Sequence, residues 1–178
     1  MSVPGPSPDR RLILGIVADD SGAAVEGVTV DGEAISLAVV ASGTGGEQSS
    51  ALAIGHVPNG TTLDVDVIFS NEQSRSALVV WSATGLSSNQ PIDGTIATNS
   101  PMSGMLMTEP GGFFLAVAGH VSSNDMTWSG AQERVNALIA GHSSRYTGAD
   151  DGATLGGMVT IEVSGLLDSR RNMVAASW

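Results

Sequence analysis

The sequence contains no cysteine and no lysine. Without thiols there is no cysteine nucleophile, no thiolate zinc site and no disulfide framework. Without lysine, all basic charge rests on seven arginines, set against eighteen carboxylates for a formal net charge of −11 and a pI near 4.3. Nucleic-acid binding needs a basic face that releases counterions from phosphate, and an anionic bilayer repels an acidic surface. The expectation is therefore no nucleic acid and no membrane among the partners. Aromatic residues make up only 4% of the chain, so Val, Ala, Leu, Ile and Met must supply the core, and an Ala-rich face gains less from burial than a Leu/Phe face. Charged residues are 14%, against about 25% in typical soluble domains. Long apolar runs are missing too. None approaches the roughly 20 residues that span a bilayer, and Leu12 to Ala18 is too short for the core of an export signal. The chain reads as soluble and not exported by a standard signal.

What is present is a chain of 178 residues, 42% of them hydrophobic, with a mean hydropathy of +0.17. That length suits one domain, which buries roughly 70% of its unfolded surface without a metal or disulfide staple. Glycine occurs 23 times, nearly double its usual share of about 7%. The first ten residues hold Pro4, Pro6 and Pro8, each of which fixes φ and removes a backbone donor. Residues 1–10 read as an extended arm, either loose or ordered against a neighbouring subunit, and residues 11–178 as the folded domain.

From Arg11 onward, short apolar or alternating runs are bounded by Gly, Asp, Asn and Ser, the pattern of strands and turns. The runs are Arg11 to Ala18, Glu26 to Gly32, Ala34 to Ala41, Ser50 to Val57, Thr62 to Phe69 and Ser76 to Gly85. They continue with Gly94 to Asn99, Gly104 to Thr108, Gly112 to Val121, Met158 to Gly165 and Arg170 to Trp178. Alternation is clearest in Leu63-Asp64-Val65-Asp66-Val67, apolar on one face and charged on the other. Asn59-Gly60 just before it carries the strongest short hairpin signal. Gly130 to Gly141 reads two ways. Val135, Leu138 and Ile139 have helical spacing with Ser129 as a cap and Glu133 nearby, while Trp128 and the stretch from Ser143 to Asp150 look β-like. Strands this frequent, without crossover helices, exclude a parallel α/β sheet. The expected fold is all-β: a two-sheet antiparallel β-sandwich of jelly-roll or Greek-key type, with at most one short helix.

No motif assigns chemistry. His56, His120 and His142 are not spaced as metal ligands, and H-E-x-x-H is absent. Ser, His and Asp are present without a G-x-S-x-G elbow. Ser42-Gly43-Thr44-Gly45-Gly46 lacks the Lys-Ser/Thr of a phosphate loop and reads as a hairpin loop. The acidic pairs Asp19-Asp20, Asp150-Asp151 and Asp64/Asp66 read as solvated charge, with a rim calcium as the alternative. No catalytic residue, metal or cofactor is expected. Trp81 and Trp178 lie in apolar runs and read as core, whereas Trp128 and Tyr146 are the candidates for stacking on a ligand. Met102, Met105 and Met107 form either a core strand or a pliable contact surface. Asn59-Gly60-Thr61 fits a glycosylation acceptor, but without an export signal it reads as a turn.

The run Trp128-Ser129-Gly130-Ala131-Gln132-Glu133-Arg134, the closing Ala175-Ala176-Ser177-Trp178, and the stretch from Pro58-Asn59-Gly60-Thr61 to Trp81-Ser82-Ala83-Thr84-Gly85-Leu86 carry a resemblance. Over roughly residues 55–178 the chain resembles small β-sandwich accessory proteins of tailed bacteriophages and prophages, decoration or tail-associated. The resemblance implies a non-enzymatic virion protein, a head decoration protein that stabilises the capsid as an oligomer, a trimer for preference. Its partners would be the major capsid protein and other virion proteins. Val3, Pro4, Pro6, Pro8 and Arg10 are the candidate partner-contact residues of the arm. The competing expectation is a carbohydrate- or receptor-binding module of a tail fibre, with Trp128 and Tyr146 as ligand-stacking aromatics.

Overall fold

A computed structural model describes residues 1–3, 5–19, 23–42, 48–73, 75–152, 154–168 and 170–178. Pro4, Asp20 and the 43–46 part of the glycine-rich loop lie outside the described residues. The eleven runs read from the sequence all coincide with strands, and no helix occurs among the described residues. The first half carries β1 (Arg11–Asp19), β2 (Val25–Val30), β3 (Glu33–Ser42), β4 (Gln48–His56), β5 (Val65–Phe69) and β6 (Arg75–Ala83). In the second half follow β7 (Asp93–Ala97), β8 (Met102–Pro110), β9 (Phe114–His120), β10 (Met126–Ser129), β11 (Gln132–Leu138), β12 (Arg145–Asp151), β13 (Leu155–Gly165) and β14 (Arg171–Ser177).

The first six strands form one antiparallel sheet in the order β5-β2-β3-β4-β1-β6. Within it β2 to β5 follow a Greek key, three sequential strands and a fourth that returns beside the first. Strand β3 turns a corner: residues 33–35 pair with β2, residues 36–42 pair with β4, and a bulge falls between Leu37 and Val39. Such a strand lets a sheet bend over itself. The sheet therefore encloses its own core, in which Leu12, Leu14, Val28, Ala51 and Leu63 pack with half-buried Val65 and Val67. Asp64 and Asp66 face solvent, as the alternation requires. Gly60 adopts the turn conformation at φ 79°, but no β4–β5 hairpin results, because β3 and β2 lie between those strands in the sheet.

The second half is a jelly roll. Its first and last strands pair (β7 with β14), as do the second and seventh (β8 with β13) and the third and sixth (β9 with β12). That is one long ribbon of paired strands rolled into two sheets. One sheet has the order β11-β12-β9-β14-β7 and the other β10-β13-β8. Gly130, at φ 77°, turns β10 into β11 where an added Cβ would meet the Thr160 carbonyl oxygen at 2.1 Å. The ambiguous segment is thus strand. A bulge falls between Glu133 and Val135; Leu138 is exposed while Ile139, beyond the end of β11, is buried, so the helix-like spacing of Val135, Leu138 and Ile139 does not mark one apolar face.

The antiparallel sandwich expected from the pattern is present, with a third sheet added. A middle core (Ile13, Leu52, Leu115, Val117, Val174) lies between the rolled sheet and the five-stranded sheet. An outer core (Met102, Leu106, Phe114, Ile161, Met173) lies between the five-stranded and three-stranded sheets. Strands β1, β4, β9 and β14 are consequently buried on both faces. Such strands read as continuous apolar runs. Close approach of the layers demands missing side chains: at Gly15 a Cβ would sit 2.3 Å from Val117 Cγ1, and at Gly119 it would sit 2.4 Å from Val17 Cγ1.

The arm lies along its own chain. Its backbone runs along residues 57–63 of its own chain: Val3 N–H donates to Thr61 O at 3.0 Å, Ser7 N–H to Pro58 O at 3.0 Å, and Leu63 N–H to Met1 O at 2.9 Å. Arg10 is buried, and its guanidinium donates to the carbonyl oxygens of Val57 (2.6 Å), Gly60 (3.0 Å) and Asn59. Arg10 is therefore an internal clamp on the 57–60 turn. Of the other arm candidates, Val3 is half-buried, while Pro6 and Pro8 stay exposed.

Candidate functional site

Where the rolled sheet meets the jelly roll, the edges of the middle core open into a groove. Trp81, on β6 opposite Ile13 of β1, forms its head. The indole occupies a slot made by two glycines: a Cβ at Gly15 would come within 2.9 Å of Trp81 Cζ3, and one at Gly148 within 3.1 Å of Cη2. Alternation along β12 puts Tyr146, Gly148 and Asp150 on the side facing this ring. Trp81 Nε1–H donates to Asp150 Oδ2 at 3.0 Å, and Arg134 clamps the same carboxylate, donating from Nε at 2.9 and 2.8 Å and from Nη2 at 2.7 Å. The hydrogen-bonded Asp150 carboxylate holds the Arg134 guanidinium above its ordinary pKa. Asp150 is thus fixed in position, while Asp151 beside it is exposed.

Three adjoining compartments make up the groove. The first, about 320 Å³, is lined by Trp81, Ser82, Thr84, Phe113, Asp150 and Asp151, among others. It shares Thr84 and Phe113 with a second of about 260 Å³, which adds Glu109 and Trp178. The third, about 280 Å³, shares Glu109 and Trp178 and reaches Gln90 and Ile92. Phe113 and Trp178 stack with centroids 5.7 Å apart and planes 25° apart. Their backbones bond reciprocally, Phe113 N–H to Trp178 O at 3.0 Å and Trp178 N–H to Phe113 O at 2.9 Å. Trp178 is itself buried, with Nε1 lacking a hydrogen-bond partner. Three of the seven aromatic residues of the chain therefore gather along this groove.

The stacking candidates are not brought together. Trp128 points into the outer core and donates from Nε1 to Thr147 Oγ1 at 2.8 Å. Tyr146, the neighbouring residue on β12, packs against the middle core on the opposite face of the same sheet. Trp81 and Trp178 do pack against the middle core as expected, yet both also line the groove. Met102 is core, whereas Met105 and Met107 point outward with 61% and 44% exposure.

The histidines stand apart. His56 is exposed and its Nε2 lies 2.8 Å from Pro8 O. Buried His120 has Nε2 2.9 Å from Asn124 O, and its Nδ1 accepts from Asp168 N–H at 3.4 Å. Burial, the largest influence, holds His120 below the ordinary imidazole pKa. His142 Nδ1 lies 2.8 Å from Ser144 Oγ and 3.1 Å from Asp19 Oδ2, and Ser144 Oγ–H donates to Asp19. Ser, His and Asp meet here, but in the wrong order for nucleophilic catalysis. A triad needs its histidine between serine and aspartate, with the hydroxyl open to substrate; Ser144 is fully buried and bonds Asp19 directly. The cluster ties the end of β1 to the turn before β12. Asp19 and Ser144 lie 125 positions apart, and no local motif announces them. No group of three or more His, Cys, Asp or Glu side chains is arranged to hold a metal among the described residues.

No family model and no curated protein matches the chain. Among solved structures, a GH78 family rhamnosidase of Bacillus sp. GL1 aligns at 9% identity and a TM-score of 0.20. The alignment covers 97% of this chain and 32% of that one, so the chain spans about a third of that protein's length. A TM-score this low carries no argument about fold or function.

Proposed function

We propose that the chain is a non-enzymatic structural protein of a phage virion, a head decoration protein that assembles with copies of itself on the particle. The observation that supports this reading is the outward face of the three-stranded sheet. Met107 lies directly opposite Met158, and Met105 opposite Thr160. The three methionines are 44%, 56% and 61% exposed respectively. The middle of this face carries no charge, on a molecule whose net charge is −11. Such an uncharged, pliable strip lets acidic copies meet without opposing like charges. Symmetric closure of such contacts gives small rings, and a trimer suits three-fold capsid positions. The jelly roll is itself a recurrent architecture of capsid proteins and lectins, although a fold hosts many functions.

The test is light scattering on the purified chain, followed by co-sedimentation with phage heads. A stable oligomer that saturates heads at fixed stoichiometry is expected. Met105→Glu combined with Met107→Glu should dissociate it without lowering the melting temperature, because both side chains point away from the cores. A monomer that stays in the supernatant overturns the reading.

A further inference from the structure

We propose that the groove running from Trp81 past Phe113 to Trp178 binds a neutral oligosaccharide. The inference is independent of the methionine face, which lies on the outer sheet. A pyranose ring has C–H faces that pack on aromatic surface and a rim of hydroxyls that both donate and accept. The first compartment supplies the complement: half-buried Trp81 and Phe113 as apolar surface, exposed Thr84, and the Asp151 carboxylate. At about 320 Å³ it falls at the lower end of the roughly 300–1,000 Å³ typical of small-molecule sites. Continuity with the second and third compartments, through Thr84, Phe113, Glu109 and Trp178, favours a chain of rings over a single one.

The site is held ready before any ligand arrives. Trp81 is fixed in its glycine slot by the bond to Asp150, which Arg134 clamps from the other side. Little ordering entropy remains to be lost at this ring on binding. Charge narrows the ligand class. Asp150, Asp151 and Glu109 face the groove, and the arginine adjoining it, Arg134, is engaged by Asp150. Sialylated, uronate and phosphorylated sugars would meet the Asp151 and Glu109 carboxylates; uncharged hexose chains would not. Thr84, shared by the first two compartments beside the Asp151 carboxylate, suits a polyol better than an organic cation, which needs carboxylate and ring faces alone.

The experiment is a glycan array probed with the full chain, carrying neutral hexose oligosaccharides beside sialylated and uronate chains, then calorimetric titration with the strongest neutral binder. Binding confined to neutral chains is expected. Asp151→Ala, at an exposed position outside the cores, should weaken it at least tenfold with an unchanged melting temperature. Trp81→Ala should abolish it, and Trp128→Phe, outside the groove, should leave it intact. Absence of neutral glycans among the binders, a preference for acidic chains, or an Asp151→Ala variant that binds like the parent overturns the proposal. Because the Met105/Met107 variant leaves the groove untouched, loss of particle association and loss of glycan binding are read separately.

Discussion

At Gly15 the rolled sheet, the five-stranded sheet and the Trp81 ring converge on a position with no room for a methyl group. Gly15→Ala would place a Cβ 2.3 Å from Val117 Cγ1 and 2.9 Å from Trp81 Cζ3. Overpacking of this kind costs about 1–3 kcal/mol, and urea denaturation should show a loss of that size. A second residue sets a pH limit. His120 is buried and held below its ordinary pKa of 6.5 chiefly by desolvation, with the charges of Arg145 and Arg171 acting the same way. The unfolded chain therefore takes up a proton near pH 6.5 that the folded chain refuses. The stability contribution is whole above about pH 6.5 and declines as pH falls below it. Denaturation at about pH 7.5 and 5.5 should show that decline in the parent and a smaller one in His120→Gln. Neither behaviour is written in the local sequence. Gly15 looks like a flaw in a strand, and His120 like a strand end, until the layers on both sides are known.

At the scale of elements, the arm and the 57–60 turn form one unit through Arg10. Arg10→Ala would strand the carbonyls of Val57, Asn59 and Gly60, which accept from the guanidinium. Losing a charged donor to these partly buried carbonyls costs about 1.5–3 kcal/mol. The melting temperature should fall accordingly, with Arg10→Lys recovering part of the loss. The sequence made the strands legible because their signal is local: apolar runs of β-formers between turn residues. It hid β10 to β12 for an equally local reason, since β10 spans only Met126–Ser129 and the β11 bulge breaks the alternation. Asn59-Gly60 announced a turn correctly, but pairing partners are non-local, and the chain uses this turn to step past two strands rather than to close a hairpin. The arm was legible as extended and illegible as anchored, because its partners lie about fifty to sixty residues away.

For the whole molecule, the division of labour is sharp: β1 to β6 form one sheet and β7 to β14 the other two, yet both halves complete the middle core. Cutting the 84–92 link should leave two fragments, each exposing apolar residues such as Ile13 and Leu52 or Val117 and Val174. The fragments are expected to associate when mixed and to melt in one transition; stable separate monomers would show that the middle core is dispensable. The candidate site was the least legible feature. Trp81, Phe113, Asp150 and Trp178 come from four distant segments; Trp81 and Trp178 read singly as core, and Asp150 as surface charge. Only the meeting of two sheet edges makes them neighbours. The same architecture gives β14 a particular weight. It is hydrogen-bonded to β7 and β9, sends Met173 and Ala175 into the outer core, and sends Val174 and Ala176 into the middle core. A chain in which Arg171–Ser177 has not docked displays two unfilled apolar surfaces at once. Chaperones and proteases that survey exposed apolar surface can therefore respond to the failure of a single seven-residue strand to dock.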